Sequence, residues 1–330
     1  MASTGLSARY IGAYCKYWPV HSRICFVHHV SAAYWMRRAL LMSDSSSSIL
    51  RRPEVHGHRG CRGLRPENTL PAFLHALELG VDVLELDVVI SADRQVVVSH
   101  EPWLNPLICR GSAGELIPAN AQAAHNLYHM PYRLIFECDC GLPHPNFPEQ
   151  LAQPAHKPLL SAVLAATESW VAQKPGRRSP GYSVEIKCLP AGDGILHPAP
   201  ADFLDLVLAE LDRAGARVLA RTTLLCFDPR ILRLAHRVRP LLRTCLLVEP
   251  AQDWLLSLRE LGFVPTTFGP DQYTVTAAAV RELRTLYPSL RLVPWTVNEP
   301  SDFKRLLLLG LAGITTDYPD RLLAILGEEQ

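Results

Sequence analysis

The sequence predicts an α/β protein, a (β/α)8 barrel of the TIM type with an insertion after a hairpin that follows the second strand. Three observations carry this. From residue 54 onward, short apolar strand-like runs alternate with helical segments, and strict alternation implies a parallel sheet. With the hairpin return set aside, the count reaches eight strand–helix pairs, the number that closes a barrel. The competing open, doubly wound sheet requires a Gly-rich first turn of dinucleotide spacing, which His58-Arg59-Gly60-Cys61-Arg62-Gly63 lacks.

Element by element, residues 55–58 form a short apolar strand. Residues 68–79 form an amphipathic helix with Leu70, Phe73, Leu74 and Leu77 on one side, closed by Gly80. Residues 83–90 are a strong β run. Residues 91–94 make a tight connection and 95–100 are extended again; so short a link permits only a hairpin return. Residues 101–158 are Pro-rich and irregular, an insertion. A helix follows at 159–171. Strands at 182–188, 222–227, 242–248, 264–268, 291–297 and 313–317 then alternate with helices at 201–214, 229–238, 252–261, 276–286, 301–309 and 319–326.

Composition narrows the function classes. Of 330 residues, 48% are hydrophobic and 20% charged, which is the balance of a core-forming chain. Thirty-three Lys and Arg against 32 Asp and Glu argue against a nucleic-acid binder. The longest apolar run, 306–314, is too short to span a bilayer, so no integral membrane segment is expected. Nine scattered cysteines do not make a secreted disulfide framework. Most are expected to be reduced and buried; the one disulfide left open joins Cys109 to Cys138 or Cys140. Residues 1–53 read as a poorly ordered or non-native N-terminal extension, with translation starts at Met36 or Met42 as the sharper hypothesis. Basic residues and histidines interrupt its apolar runs, so no signal peptide is evident and a cytoplasmic protein is favoured. Oligomeric state is not legible.

The chemistry is written into two strands. In Val83-Leu84-Glu85-Leu86-Asp87-Val88, alternation puts Leu84, Leu86 and Val88 on one face and Glu85 and Asp87 on the other, which in a barrel looks inward. The next parallel strand repeats the device: Val184, Ile186 and Cys188 face out, Glu185 and Lys187 face in. Three inward carboxylates need compensating cations, since unpaired buried charge costs several kcal/mol per ion. Lys187 neutralises one. A divalent ion held by Glu85, Asp87 and Glu185 accounts for the rest, and all-oxygen ligands favour Mg2+ or Ca2+. The alternative is a buried salt-bridge cluster with Arg59 and Lys187.

His58 ends the first strand and His100 ends the hairpin return. A turn centred on Asp93 sets His100 opposite Glu85, bringing both histidines to the mouth where barrel enzymes work. Two imidazoles at one mouth suit proton transfer in both directions. Arg59 and Lys187 beside a metal suit a phosphate oxyanion. His56-Gly57-His58 also matches the H-x-H of metal-dependent amidohydrolase barrels, with Asp317 ending the last strand. That reading requires further histidines on the fifth and sixth strands, which are lacking, so His56 is taken as structural. Trp295, on the inward face with Val293 and Val297, either walls a substrate pocket or packs the barrel core.

Taken together, His58-Arg59-Gly60, Pro66-Glu67-Asn68-Thr69, Glu85-Leu86-Asp87-Val88, Ser99-His100, Glu185-Ile186-Lys187, Pro294-Trp295-Thr296-Val297-Asn298 and Ile314-Thr315-Thr316-Asp317-Tyr318-Pro319 resemble the glycerophosphodiester phosphodiesterase family, in order over about residues 54–326. The resemblance implies a (β/α)8 barrel that cleaves glycerophosphodiesters to glycerol phosphate and an alcohol with a divalent ion. It implies metal ligation by Glu85, Asp87 and Glu185, acid/base roles for His58 and His100, phosphate contacts from Arg59 and Lys187, and Glu67 close by as support or alternate ligand. It also implies that the insertion covers the substrate. The family's usual His-Asp is His100-Glu101 here, which puts the acid's role in question. A lysophospholipase D or phospholipase C-like phosphodiesterase is the nearest alternative; the polar run 143–146 argues against the long apolar groove it would want. A non-catalytic phosphate-binding scaffold is the other, though no catalytic position is lost.

Overall fold

A computed structural model describes residues 52–328. The expectations for residues 1–53 therefore lie outside the described residues, save for Arg52 and Pro53. Nine strands form one sheet: β1 Glu54–Gly57, β2 Val83–Ile90, β3 Val96–Val98, β4 Gly181–Ile186, β5 Thr222–Cys226, β6 Arg243–Val248, β7 Thr267–Pro270, β8 Arg291–Leu292 and β9 Gly313–Thr316. Eight run parallel in the order β8-β7-β6-β5-β4-β2-β1-β9, and β3 pairs antiparallel with β2. The two ends of this path meet through Ala312 N–H donating to Leu292 O (3.1 Å), Thr315 N–H to Pro294 O (3.0 Å) and Val297 N–H to Thr315 O (2.9 Å). The result is a nearly closed (β/α)8 barrel.

Helices pack outside. Thr69 caps α1, Leu70–Leu79, accepting from the Ala72 N–H, and Gly80 ends it in the left-handed conformation at φ 96°. Pro71 in the first turn costs no hydrogen bond there. The same device opens α4 (Pro200–Ala214), α6 (Pro229–Val238) and α9 (Pro300–Leu307), so proline repeatedly marks where a βα loop becomes a helix. The remaining helices are α2 Tyr132–Phe136, α3 Leu160–Ala172, α5 Ala216–Leu219, α7 Trp254–Leu261, α8 Ala277–Leu286 and α10 Pro319–Glu328. Among the described residues, no helix is long and apolar enough to cross a membrane.

Strand alternation sorts the side chains as expected. Leu84, Leu86, Val88, Val184, Ile186 and Cys188 join Phe73, Phe203 and Phe303 in the layer between sheet and helices. Each such buried side chain contributes about 1.5–3 kcal/mol. Inside the barrel, Leu225, Cys245 and Leu247 pack with Phe227 and Trp295.

Three expectations are corrected. The β2–β3 register pairs Val88 with Val98 and Ile90 with Val96; the turn centres on Asp93 as expected, closing through Ser91 and Gln95, but this register extends to His100 opposite Leu86, one residue away from Glu85. The strand expected at 264–268 starts at Thr267, because Pro265 has no N–H to give a neighbouring strand and Val264 is exposed. The strand expected over 291–297 forms a regular ladder with β7 only at Arg291–Leu292; beyond it the pairing is isolated, with Trp295 bridging Asp271, and Pro294 and Val297 bonding Thr315. Its strict alternation does not persist, so Val297 lies in the outer layer while Trp295 lies in the inner one.

The insertion is more organised than its composition suggests. Leu104, Ile108, Leu127 and Ile135 form a small core with Val89 and Val97 of the hairpin. A disulfide joins Cys109 to Cys140, and Cys138 stays free, which resolves the pairing left open above. The insertion is tied to the catalytic end of the barrel: buried Gln150 donates to Arg62 O (2.6 Å) and Arg65 O (3.0 Å), and Leu151 N–H donates to Leu64 O.

Candidate active site

The loop after β1 builds one wall of the site. Arg59 adopts φ 51° and Asn68 φ 55°, a left-handed conformation uncommon for side-chain-bearing residues. Gly60 is required between them: a Cβ there would lie 2.7–2.9 Å from Ala72. The turn aims the Arg59 N–H at Glu85 Oε2 (2.8 Å) and its guanidinium at Glu67 (2.7 Å) and Asp87 (3.4 Å). Asn68 takes the place of a strand partner for Asp87, donating Nδ2–H to Oδ2 (2.9 Å) and accepting from the Asp87 N–H (3.3 Å).

Glu85, Asp87 and Glu185 each present an oxygen within 4.8 Å of the others. Lys187 Nζ lies 2.5 Å from Glu185 and 3.6 Å from Asp87. Asp87 Oδ1 is buried and makes no hydrogen bond among the described residues. An all-oxygen trio with an orphaned carboxylate oxygen fits a hard divalent cation. Six carboxylates (Glu67, Glu85, Asp87, Glu101, Glu185 and Asp317) converge on this mouth with four cations, Arg59, Arg62, Lys157 and Lys187. Two negative charges are left over. Without a metal, burial, reinforced by Asp87 and Glu185, pushes Glu85 well above the usual carboxylate range. Burial lifts Glu185 to about 7, even with Lys187 beside it. Asp87 stays ionised, because His100, Lys187 and Arg59 outweigh its burial.

A second close group, Cys188, Asp193 and His197, has its ligand atoms engaged elsewhere. Leu189 N–H donates to His197 Nε2 at 3.1 Å, His197 Nδ1 meets Pro198 O at 2.9 Å, and the Arg230 fork holds Asp193.

Both histidines are carboxylate-backed. His58 Nδ1 sits 2.6 Å from Asp317 Oδ1. A carboxylate only accepts, so the proton is on Nδ1 and Nε2, 3.9 Å from Glu85, carries the lone pair. Burial, aided by Arg62 and Arg59, lowers His58 to about 4 despite Asp317, so the ring is neutral at pH 7. His100 Nδ1 lies 3.1 Å from Glu101 Oε1; burial and the Arg59 and Lys187 charges lower its pKa as well. Glu101 thus backs the imidazole although it is longer than the family's aspartate. His56, by contrast, bonds Glu54 Oε2 (3.1 Å) one strand layer below, as a structural residue would.

The structure therefore brings His58, Arg59, Glu67, Glu85, Asp87, His100, Glu185 and Lys187 to one mouth. Glu67 serves Arg59 and stands outside the acidic trio. Trp295 lies on the apolar side, its Nε1–H on Gly269 O (2.8 Å) and its ring edge-on to Phe227 at 5.4 Å. Sequence reasoning missed Arg62, Asn298 and Lys157, and did not assign Asp317 its task. Asp317 takes a fork from Arg62 (2.9 and 3.1 Å) and Nδ2–H of Asn298 (2.7 Å) besides the His58 bond. The signal available was Asp317 ending the last strand, beside His58 on the neighbouring first strand.

A barrel whose C-terminal mouth combines an acidic trio fit to hold a cation, two imidazoles and buried cations defines a phosphoester-cleaving class of enzyme. Comparison with known proteins agrees. The profile of the Glycerophosphoryl diester phosphodiesterase family matches residues 58–321, and the chain belongs to that family. It is 26% identical over 282 residues to the glycerophosphodiester phosphodiesterase of Bacillus altitudinis, covering 82% of this chain and 97% of that one. A solved structure from Silicibacter pomeroyi DSS-3, provisionally named a glycerophosphoryl diester phosphodiesterase, is 32% identical with a TM-score of 0.74, covering 84% of this chain and 94% of that one. An Oleispira antarctica phosphodiesterase, solved with the product sn-glycerol-3-phosphate, shares the fold at 18% identity and TM-score 0.65, over 83% of this chain and 97% of that one.

Replacing Asp317 by Asn removes the buried carboxylate that pairs with the part-buried Arg62 guanidinium and the His58 ring, leaving Arg62 only Glu67 at 3.8 Å. Breaking a buried pair costs about 3–5 kcal/mol, so Asp317→Asn is expected to lower stability by that order in urea unfolding. A change below about 1 kcal/mol would show that these contacts do not hold the mouth together.

Proposed function

We propose that this chain hydrolyses glycerophosphodiesters to glycerol phosphate and an alcohol, with one divalent cation, Mg2+ or Ca2+, held by Glu85, Asp87 and Glu185. The observation that carries this reading is the convergence of that trio with two carboxylate-backed imidazoles and buried cations at one barrel mouth, in a chain of this family. When bound, the cation supplies charge stabilisation at the non-bridging phosphate oxygens. Arg59 and Lys187 share that task, Arg59 with a planar fork held by Glu67, Lys187 as a point charge. His58 and His100 divide the proton transfers: one takes the proton of the attacking hydroxyl or water, the other delivers one to the departing alcohol. In His58 the carboxylate on Nδ1 leaves Nε2 for this work, and in His100 Glu101 backs Nδ1 in the same way. Trp295, Phe227, Leu225 and Leu247 offer an apolar wall for the carbon skeleton. The insertion, anchored beside the mouth through Gln150, is where selection of the alcohol belongs.

The experiment is turnover of glycerophosphocholine, glycerophosphoethanolamine and lysophospholipids with chelator, then with Mg2+ or Ca2+ restored. The chelated enzyme is expected to be inactive and the cation to restore it. Glu85→Gln or Asp87→Asn is expected to remove most activity while the circular dichroism of the barrel persists. Full activity after dialysis against chelator contradicts the metal, preference for lysophospholipids favours the lysophospholipase D reading, and no turnover on any diester favours a scaffold.

Replacing His58 or His100 by Ala is expected to cost about 10²–10⁴ in rate each, and His56→Ala far less. Equal losses at His56 and His58 would reopen the amidohydrolase-like arrangement.

A further inference from the structure

Lys157 stands at the far end of the insertion, yet its side chain is buried within the catalytic mouth. Its Nζ donates to Ser99 Oγ at 2.8 Å, and Ser99 Oγ donates onward to the Glu101 carbonyl at 2.7 Å. The charges that act on it most strongly are the carboxylates of Glu101 and Glu67, followed by Arg59 and Asp87. The backbone clasps the same point: Val98 N–H donates to Pro158 O at 2.8 Å, and Val97 bridges Leu159. The first residues of the insertion, Glu101 and its neighbours, and its last, Lys157 and Pro158, thus meet on the hairpin strand that carries His100.

A buried ammonium is expensive unless a nearby anion repays it. Glu101 is the first such anion, and its Oε2 makes no hydrogen bond among the described residues while Oε1 backs His100. Burial would raise the Glu101 carboxyl, but His100, Arg59 and Lys157 hold it well below the usual range. Glutamate at this position has one more methylene than aspartate, and so one more torsion to fix before it can orient a ring. Lys157 supplies both a charge to hold that carboxylate and, through Ser99, a hydrogen-bonded tether on its backbone.

We infer that Lys157 is a positioning residue for His100, acting through Ser99 and Glu101, so that docking of the insertion and orientation of a catalytic imidazole are one event. This rests on the role proposed above for His100. It assigns Lys157 no contact with substrate.

The test is a double-mutant cycle on the full chain, with Lys157→Met, Glu101→Gln and the pair, scored by kcat and KM on glycerophosphodiesters. Lys157→Met is expected to lower kcat about tenfold or more with KM within about threefold, the signature of an interaction that acts on the chemical step. In the Glu101→Gln background the same change is expected to alter kcat by less than about twofold. Ser99→Ala, which keeps the charge and cuts the tether, is expected to lower kcat by a smaller factor. It serves where Lys157→Met does not fold. In ¹⁵N-histidine NMR, Lys157→Met is expected to shift the ring signals of His100, assigned with His100→Ala, and leave those of His58 in place. Multiplicative effects in the cycle, or an unmoved His100 signal, would overturn the inference. If wild-type protein turned over no diester, yet the His100 signal shifted, the positioning would stand and the proposed reaction would fall.

Discussion

The site depends on an excess of buried negative charge. Six carboxylates share one end of the barrel with four cations, in a setting where each uncompensated ion costs several kcal/mol. Much of the local architecture answers that imbalance. The left-handed turn at Arg59, made possible by Gly60, turns a backbone N–H toward Glu85 and a guanidinium toward Asp87. Asn68 replaces a missing strand neighbour for Asp87. What these contacts leave uncompensated shows in the raised pKa values of Glu85 and Glu185 and in the orphaned Oδ1 of Asp87. A fold that sought only stability would have placed apolar residues here. The retained charge is the mark of a binding site.

The barrel divides this chemistry from the carbon skeleton. Strands β1, β2 and β4 line the mouth with charge; β5 and β6 give the interior Leu225, Cys245 and Leu247, with Phe227 and Trp295 above them. A phosphodiester carries both characters, an anionic centre flanked by alkyl groups, and the two sides match it. The insertion connects to the charged side, through Gln150 on the Arg62–Arg65 loop and Lys157 on the hairpin.

Much of this was legible in the sequence, for reasons that can be named. Glu85 and Asp87 alternate with apolar residues in Val83–Ile90, and Glu185 and Lys187 alternate with Val184, Ile186 and Cys188, so the inward carboxylates declare themselves. Proline in the first turn marks helix starts. The boundaries that slipped, at Thr267 and after Leu292, lie where strands are two to four residues long and periodicity has too few terms to read. The hairpin turn centres on Asp93 as expected, but counting outward from it sets His100 opposite Leu86, one residue from Glu85. Lys157 was invisible for another reason. It enters the mouth from across an insertion, 57 positions after His100, and only the folded chain brings the two together.

The charge imbalance is the physical ground for the cation proposed at Glu85, Asp87 and Glu185. The most direct measurement of that claim is proton release on cation binding. Calorimetric titration of the metal-free protein with Mg2+ or Ca2+ at pH 6.5, in two buffers of different ionisation enthalpy, counts the protons displaced. Burial raises both carboxyls, Glu185 to about 7 and Glu85 well above its ordinary value, which favours bound protons at that pH. Ligation must expel them. The account predicts one binding site per chain, at least about one proton released per cation at pH 6.5, and affinity that rises from pH 6 to pH 8. Binding without proton release and with affinity flat across that range would contradict it.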